Sequence, residues 1–367
     1  MLDRLPPELL LRTLDLVSSS TYNSCDIKQR TDTLARVALV CTATRRAAQE
    51  LLPQVISTRP EPGSTDVPLL RHRLGDGTTV AERVRTLSLF RETWRHISCE
   101  QLVGCARLRY LCINYGAVDL AVLSLAPNLT GLALNHATIL AGPTSFSFPA
   151  LREFSLHDPV FRDYTRPELG RRTTFPALRA LSLSEIVPED LGEADLCQPW
   201  HADRDLVSLG HHTHLDYGSA APQPPSKANV LLHLPLSGKI ADPLNCTTPY
   251  PPNVQISLSP LADDVPLNIT TASNMLYQVH SIPDCCVKNR PLRVLILPWW
   301  VRYAFSDKDY DDTPLLMLEA QCEAQGTALL WDEDEFPDDE SRISRVFLEH
   351  RRVERARQSS KEGPTGE

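Results

Sequence analysis

The chain has 367 residues, 42% hydrophobic and 23% charged, enough apolar side chain to build a large core and unlike the composition of a disordered chain. Its net charge of −9 and pI near 5.7 oppose a general role on nucleic acid or an anionic membrane, which both want a basic face, and leave room only for a local basic patch. No apolar run reaches the ~18 residues a bilayer span needs, and the N-terminus lacks the pattern of a secretory signal.

The first element is a helix in "LDRLPPELLLRTLDLV" (2–17), where a Pro-Pro pair leads into Glu-Leu-Leu-Leu. At about 100° per residue, Leu9 and Leu16 fall together, Leu10, Val17 and Leu14 follow, and Leu11 lies beyond them. The apolar arc is roughly 200° wide, about twice what a surface helix needs to face one core. Such a helix wants cover on two sides, one from its own domain and one from elsewhere. A second helix over 31–41 has Leu34, Val37, Ala38 and Cys41 on one stripe, with Leu39 pointing away and Val40 at the border. A third over 44–52 brings Ala48, Leu51 and Leu52 inward before Pro53 stops it. The segment 18–32 reads as a long first loop.

These residues resemble an F-box, whose pattern is Leu-Pro-x-Glu, an apolar helix, and a second apolar helix ending Leu-Val-Cys. The matching positions are Leu5, Pro6, Glu8, Leu9, Leu14, Leu39, Val40 and Cys41. The resemblance implies that Leu5, Pro6, Leu9, Leu11, Leu39 and Val40 bind a Skp-type adaptor and, through it, a cullin. The plainer reading is that the three helices cap the repeats that follow, as terminal repeats must be capped.

After a linker over 57–80, the pattern L-x-x-L-x-L appears at 84–89, 108–113, 129–134, 151–156 and 178–183. Its central residues Leu87, Leu111, Leu132, Phe154 and Leu181 are separated by 24, 21, 22 and 27 residues, close to the 20–29 of leucine-rich repeats. Each hexamer predicts a short strand whose alternate side chains face a shared core, stacked into a parallel sheet. The expected fold is therefore α/β: a three-helix F-box-like module over 1–56, then an irregular leucine-rich-repeat solenoid with a parallel sheet over 81–336. The asparagine that regular repeats carry is missing three residues past each last apolar position, which predicts uneven curvature. The outward strand positions are candidates for meeting a target protein, above all Ser88, Tyr110, Asn114, Asn135, Glu153, His157 and Ser182. The small residue at the middle of each strand suits close approach of a partner, or a tightly curved sheet with nothing bound.

Beyond Leu191 the rhythm fades into insertions near 187–290, with long loops over 217–227 and 243–253 and partial matches at 231–236 and 254–259. "PLRVLILPWW" (291–300) reads as an apolar strand, Thr313 and Pro314 open a helix that Gly326 ends, and "TALLW" (327–331) forms a last strand. Trp299, Trp300 and Tyr303 are the best aromatic anchors by residue type. A mixed-charge helix over 341–357 and a polar tail end the chain, within a charged segment over 337–367.

Chemistry is scarce. Cys197, His201, His211, His212 and His214 contain zinc-ligating types, yet the Cys–His gap is unusual and ordinary surface histidines account for them. The acids of 331–340 lack the glycine turn of a calcium loop. The basic run at 350–361 is interrupted by Glu354 and suits an exposed helix with charge pairs. No nucleophile elbow or phosphate loop is present. The ten cysteines contain no CxxC pair and read as reduced, mostly buried thiols of a cytoplasmic or nuclear protein. The expectation is a non-catalytic substrate receptor, with no cofactor and no metal, bridging a Skp-type adaptor to an unknown protein target for ubiquitination. The alternative is a leucine-rich-repeat scaffold with no ligase connection.

Overall fold

The computed structural model describes residues 6–17, 24–58, 66–90, 97, 99–140, 145–157, 159–162, 173–184, 208–212, 229–236, 254–260, 272–273, 276, 294–305 and 311–332. The chain divides into two compact units, Met1–Ala177 and Leu178–Glu367.

The first unit opens with three helices, α1 (Pro7–Val17), α2 (Ser24–Val37) and α3 (Thr42–Leu51). Pro7 occupies the first helical position of α1, where its missing N–H costs nothing. The three pack around Leu10, Leu14, Leu34, Ala47, Ala48 and Leu51, with Leu11, Val37, Ala38 and Leu52 at the margin. Helix α2 starts seven residues before its expected start, so much of the presumed loop is helical. The stripe was disguised by a polar member: Ile27 and Leu34 are buried, and between them Arg30 is buried too. Its guanidinium reaches Asp15 on α1 at 3.4 Å. Desolvation lowers the Arg30 pKa, and the Asp15 carboxylate works against that fall.

Helix α2 also ends earlier than expected, at Val37. Leu39 and Val40 stand in a tight turn held by N–H donation to the Arg36 and Val37 carbonyls. The next helix is capped by Cys41, whose sulfur accepts the Thr44 N–H while Thr44 Oγ1 accepts the Cys41 N–H. The missing N-cap oxygen is thus replaced by a thiol and a reciprocal hydroxyl.

The described parts of the region expected to be a linker, 57–58 and 66–80, are folded. A 3-10 turn at Leu52–Gln54 leads into β1 (Val55–Thr58), which pairs in parallel with β2 (Thr86–Phe90). Between them lie a 3-10 turn at Pro68–Arg71, a bridge from Arg73 to Thr79 and the short α4 (Val80–Arg83). The Gln101 amide clamps Val67 by bonding both its N–H and its carbonyl, at 2.8 and 3.0 Å. After α5 (Cys99–Val103) come β3 (Tyr110–Asp119), α6 (Leu120–Leu123), β4 (Gly131–Leu140), a two-residue β5 (Phe146–Ser147), β6 (Glu153–His157), β7 (Val160–Arg162) and β8 (Thr173–Thr174). Within this unit β1, β2, β3, β4 and β6 form a parallel run, β7 pairs with the far end of β4, and β5 pairs with β8. The solenoid-like repeat is in register: Leu87, Leu111, Leu132 and Phe154 are successive partners, as are Leu89, Ile113, Leu134 and Leu156. All eight are buried.

Two strands, β3 and β4, run to 10 residues each, longer than the expected hexamers, because they turn a corner. Tyr115 and His136 take the left-handed backbone region, with φ of 57° and 49°. The corner stacks in register, Asn114 opposite Asn135 before it and Gly116 opposite Ala137 after it. Left-handed backbone costs about 1–2 kcal/mol in a non-glycine residue. The two rings offset this by stacking at 4.7 Å, while Phe90 and His157 meet the pair edge-on. One step before the corner, Asn135 Nδ2 donates to Asn114 Oδ1 at 2.6 Å inside the protein. An asparagine pair therefore exists after all, two residues earlier than where regular repeats would place it.

Gly131 is set by close approach. A Cβ there would lie 2.4 Å from Cδ2 of the Tyr110 ring on the neighbouring strand. Gly131→Ala is expected to lower stability by about 1–3 kcal/mol, the usual range for overpacking, read as a lower urea midpoint with unchanged slope.

The second unit carries β9 (Ala180–Ser184), β10 (Ser208–His212), β11 (Asn229–Leu236), β12 (Val254–Pro260), β13 (Val294–Pro298) and β14 (Ala328–Asp332), parallel and adjacent in that order. Between the last two run α7 (Trp299–Ala304) and α8 (Thr313–Gln325). Two expectations change here. "SLGHH" is a strand within the insertions expected near 187–290, and Trp299-Trp300 begin a helix rather than ending a strand. A continuous apolar run cannot by itself tell a buried strand from a buried helix. Gly326 ends α8 as expected, with φ of 70° and its N–H on the Cys322 and Glu323 carbonyls. The expected loops at 217–227 and 243–253, the helix over 341–357 and the tail lie outside the described residues.

Candidate functional site

The helical face expected to bind a partner is partly open. Leu10 and Leu14 share the core stripe of α1, and Leu9 falls on its flank beside Thr13, whose hydroxyl donates to the Leu9 carbonyl at 2.7 Å. Leu9 is 51% exposed, Leu39 79% and Val40 65%. Pro6 is exposed as well, Leu11 is half-buried against the helical core, and Leu5 lies outside the described residues. The turn presenting Leu39 and Val40 is pinned by Arg45, whose Nε donates to the Ala38 carbonyl at 3.3 Å. Covering a leucine or valine contributes about 1.5–3 kcal/mol, so these side chains hold stabilisation that the chain's own fold leaves unused.

The sheet face is different. Ser88, Tyr110, Asn114, Asn135, Glu153, His157 and Ser182, expected to meet a target, are all buried. None of them presents surface to a partner in this structure. Both faces of β2, β3, β4 and β6 are withdrawn from solvent, so alternation along the strands separates an apolar layer from a buried polar layer rather than inside from outside. Within the first unit the polar layer is ordered in rows: Thr86, Tyr110, Gly131 and Glu153 in one, Asn114, Asn135 and His157 in another. The Ser88 and Ser155 hydroxyls in the middle row have no hydrogen-bond partner among the described residues.

A cleft of about 790 Å³ lies beside α3 and β1, floored by Leu52, Ile56, Leu69 and Val80 and edged by Arg46 and Arg83. Its walls come from helix, turn and strand segments between Arg46 and Arg83, and no motif announces it. Arg83 is engaged with Asp76. On α7, Trp300 is buried while Tyr303 is exposed and meets Trp299 edge-on at 5.7 Å.

No group of three or more His, Cys, Asp or Glu side chains is arranged to hold a metal among the described residues. Cys197, His201 and His214 lie outside those residues, and His211 and His212 are on β10. Cys41, Cys99, Cys105, Cys112 and Cys322 are free thiols. Burial pushes the Cys99 thiol up to about 12 and Cys105 up to about 11, and raises Cys322. A raised pKa keeps the reactive thiolate scarce at neutral pH. Brief iodoacetamide treatment of the native protein, read by peptide mass spectrometry, is therefore expected to spare Cys99 and Cys105 and to modify half-exposed Cys41 first among these five.

These features define a mixed α/β protein with a solenoid-like parallel sheet, opened by a helical segment carrying uncovered leucine and valine side chains. No protein-family model matches the chain, and no curated protein matches it. No helix among the described residues is long and apolar enough to cross a membrane.

Proposed function

We propose that the chain is a non-catalytic substrate-recognition subunit that bridges a Skp-type adaptor, and through it a cullin, to a target protein for ubiquitination. The observation that carries this reading is the exposure of Leu9, Leu39 and Val40 at positions where the sequence resembles an F-box. Such a receptor makes no bond itself. It raises the local concentration of target lysines near a ubiquitin-charged partner, a proximity effect. The target-facing surface is assigned away from the seven buried strand positions.

One observation favours the alternative, a repeat scaffold with no ligase connection: β1 follows the helices at once and joins the sheet through β2, as a structural cap would. Co-expression with a Skp-type adaptor separates the two. A receptor co-purifies with adaptor in stoichiometric amount; a scaffold elutes alone.

A further inference from the structure

The residue just before each strand of the first unit forms a row along one edge of the sheet. The Arg85 N–H donates to the Gln54 carbonyl, Arg109 to Arg85, Thr130 to Arg109 and Arg152 to Thr130, all at 2.7–2.8 Å. The row therefore reads Gln54, Arg85, Arg109, Thr130, Arg152, one residue per strand, and the three arginines are exposed. Among the described residues none of the three guanidinium groups makes an ion pair or hydrogen bond. The sequence supplies little to neutralise them. Between Glu100 and Glu153 the only acid is Asp119, which caps α6 through the Ala121 and Val122 N–H groups. Glu153 is buried, and Glu82 is held by the Thr79 hydroxyl and N–H. A protein of net charge −9 thus concentrates unpaired guanidinium groups on one edge.

We infer that this arginine row is a docking surface for an acidic, extended segment of a partner protein. Spacing carries the choice of partner. Adjacent strands are about 4.8 Å apart, so the three steps from Arg85 to Arg152 span roughly 14 Å. Acidic side chains on alternate residues of an extended strand recur about every 6.8 Å, so three of them cover the same length. Guanidinium groups match carboxylates as paired donors. Single-stranded nucleic acid fits less well, because it wants aromatic platforms for its bases. Among the residues that flank the row along the chain the one aromatic, Tyr110, is buried. The inference uses a different surface from the helical face and does not rest on the adaptor reading.

The test uses the full chain and a fluorescein-labelled peptide of alternating Glu and Ser, followed by anisotropy at low and high salt. Salt-sensitive binding is expected, weakened about tenfold in R85Q/R109Q/R152Q, the combined size of three exposed charge pairs. Arg162→Gln, another exposed arginine off the row, leaves binding unchanged, and circular dichroism reports that both variants stay folded. The inference is overturned by absence of salt-sensitive binding, by a triple variant that binds as well as the parent, or by a single-stranded oligonucleotide of equal charge binding more tightly than the peptide.

Discussion

Replacing Leu9 and Leu39 together with aspartate is expected to abolish capture of a Skp-type adaptor while leaving the protein folded. Both side chains are more than half exposed, and exposed substitutions usually move stability by no more than ~0.5 kcal/mol. At an interface the same positions weigh far more, because a covered apolar anchor commonly contributes about 2 kcal/mol or more. Two such losses weaken binding about a thousandfold. Calorimetric titration of adaptor into parent and variant gives the affinities, and a thermal melt of each gives the fold. If the helices only cap the sheet, the variant melts markedly lower and neither protein binds.

The second large effect is on stability. Phe154 lies fully buried at the end of the Leu87–Leu111–Leu132 row, stacked on Phe175 at 4.9 Å, which in turn stacks on Phe148 at 5.6 Å. Phe154→Ala removes the ring that packs against Phe175 and leaves a cavity in the core, a loss of about 3–5 kcal/mol. Domains are stable by only ~5–15 kcal/mol, so the urea midpoint of the first unit falls steeply. Phe154→Leu keeps most of the volume and costs roughly 1.5 kcal/mol or less. Equal midpoints for the Ala variant and the parent would mean that Phe154 does not hold the aromatic cluster together.

What was legible in the sequence followed a simple pattern. The core rows Leu87–Leu111–Leu132–Phe154 and Leu89–Ile113–Leu134–Leu156 were readable because each hexamer repeats one apolar spacing, and stacking in register is the only way to bury it. The Gly326 stop was readable because glycine tolerates left-handed backbone. Where a polar residue took a buried place the reading failed. Arg30 hid the first half of α2, since a charge on a core stripe looks like solvent until Asp15 on another helix answers it. Tyr115 and His136 hid the strand corners, because their left-handed backbone is held by ring stacking across strands rather than by any glycine signal.

The expected target face failed for a related reason. Alternation says which residues share a face, and it predicts an exposed face only if nothing covers it. Ser88, Asn135, Ser155 and Ser182 are among the most buried polar side chains of the described residues. The helical face was the reverse case. A 200° apolar arc exceeds what one small core can use, and the excess is visible as Leu9 in solvent while Leu10 and Leu14 fill the core. The arginine row leaves no signal in the sequence because its members are more than twenty residues apart and become neighbours only through the sheet.

The most direct measurement is hydrogen exchange of the full chain with and without a Skp-type adaptor, resolved by peptide. Adaptor binding is expected to slow exchange in α1 and in the turn that carries Leu39 and Val40, with β2, β3 and β4 unchanged. No slowing anywhere, or slowing confined to the sheet, would contradict the adaptor reading.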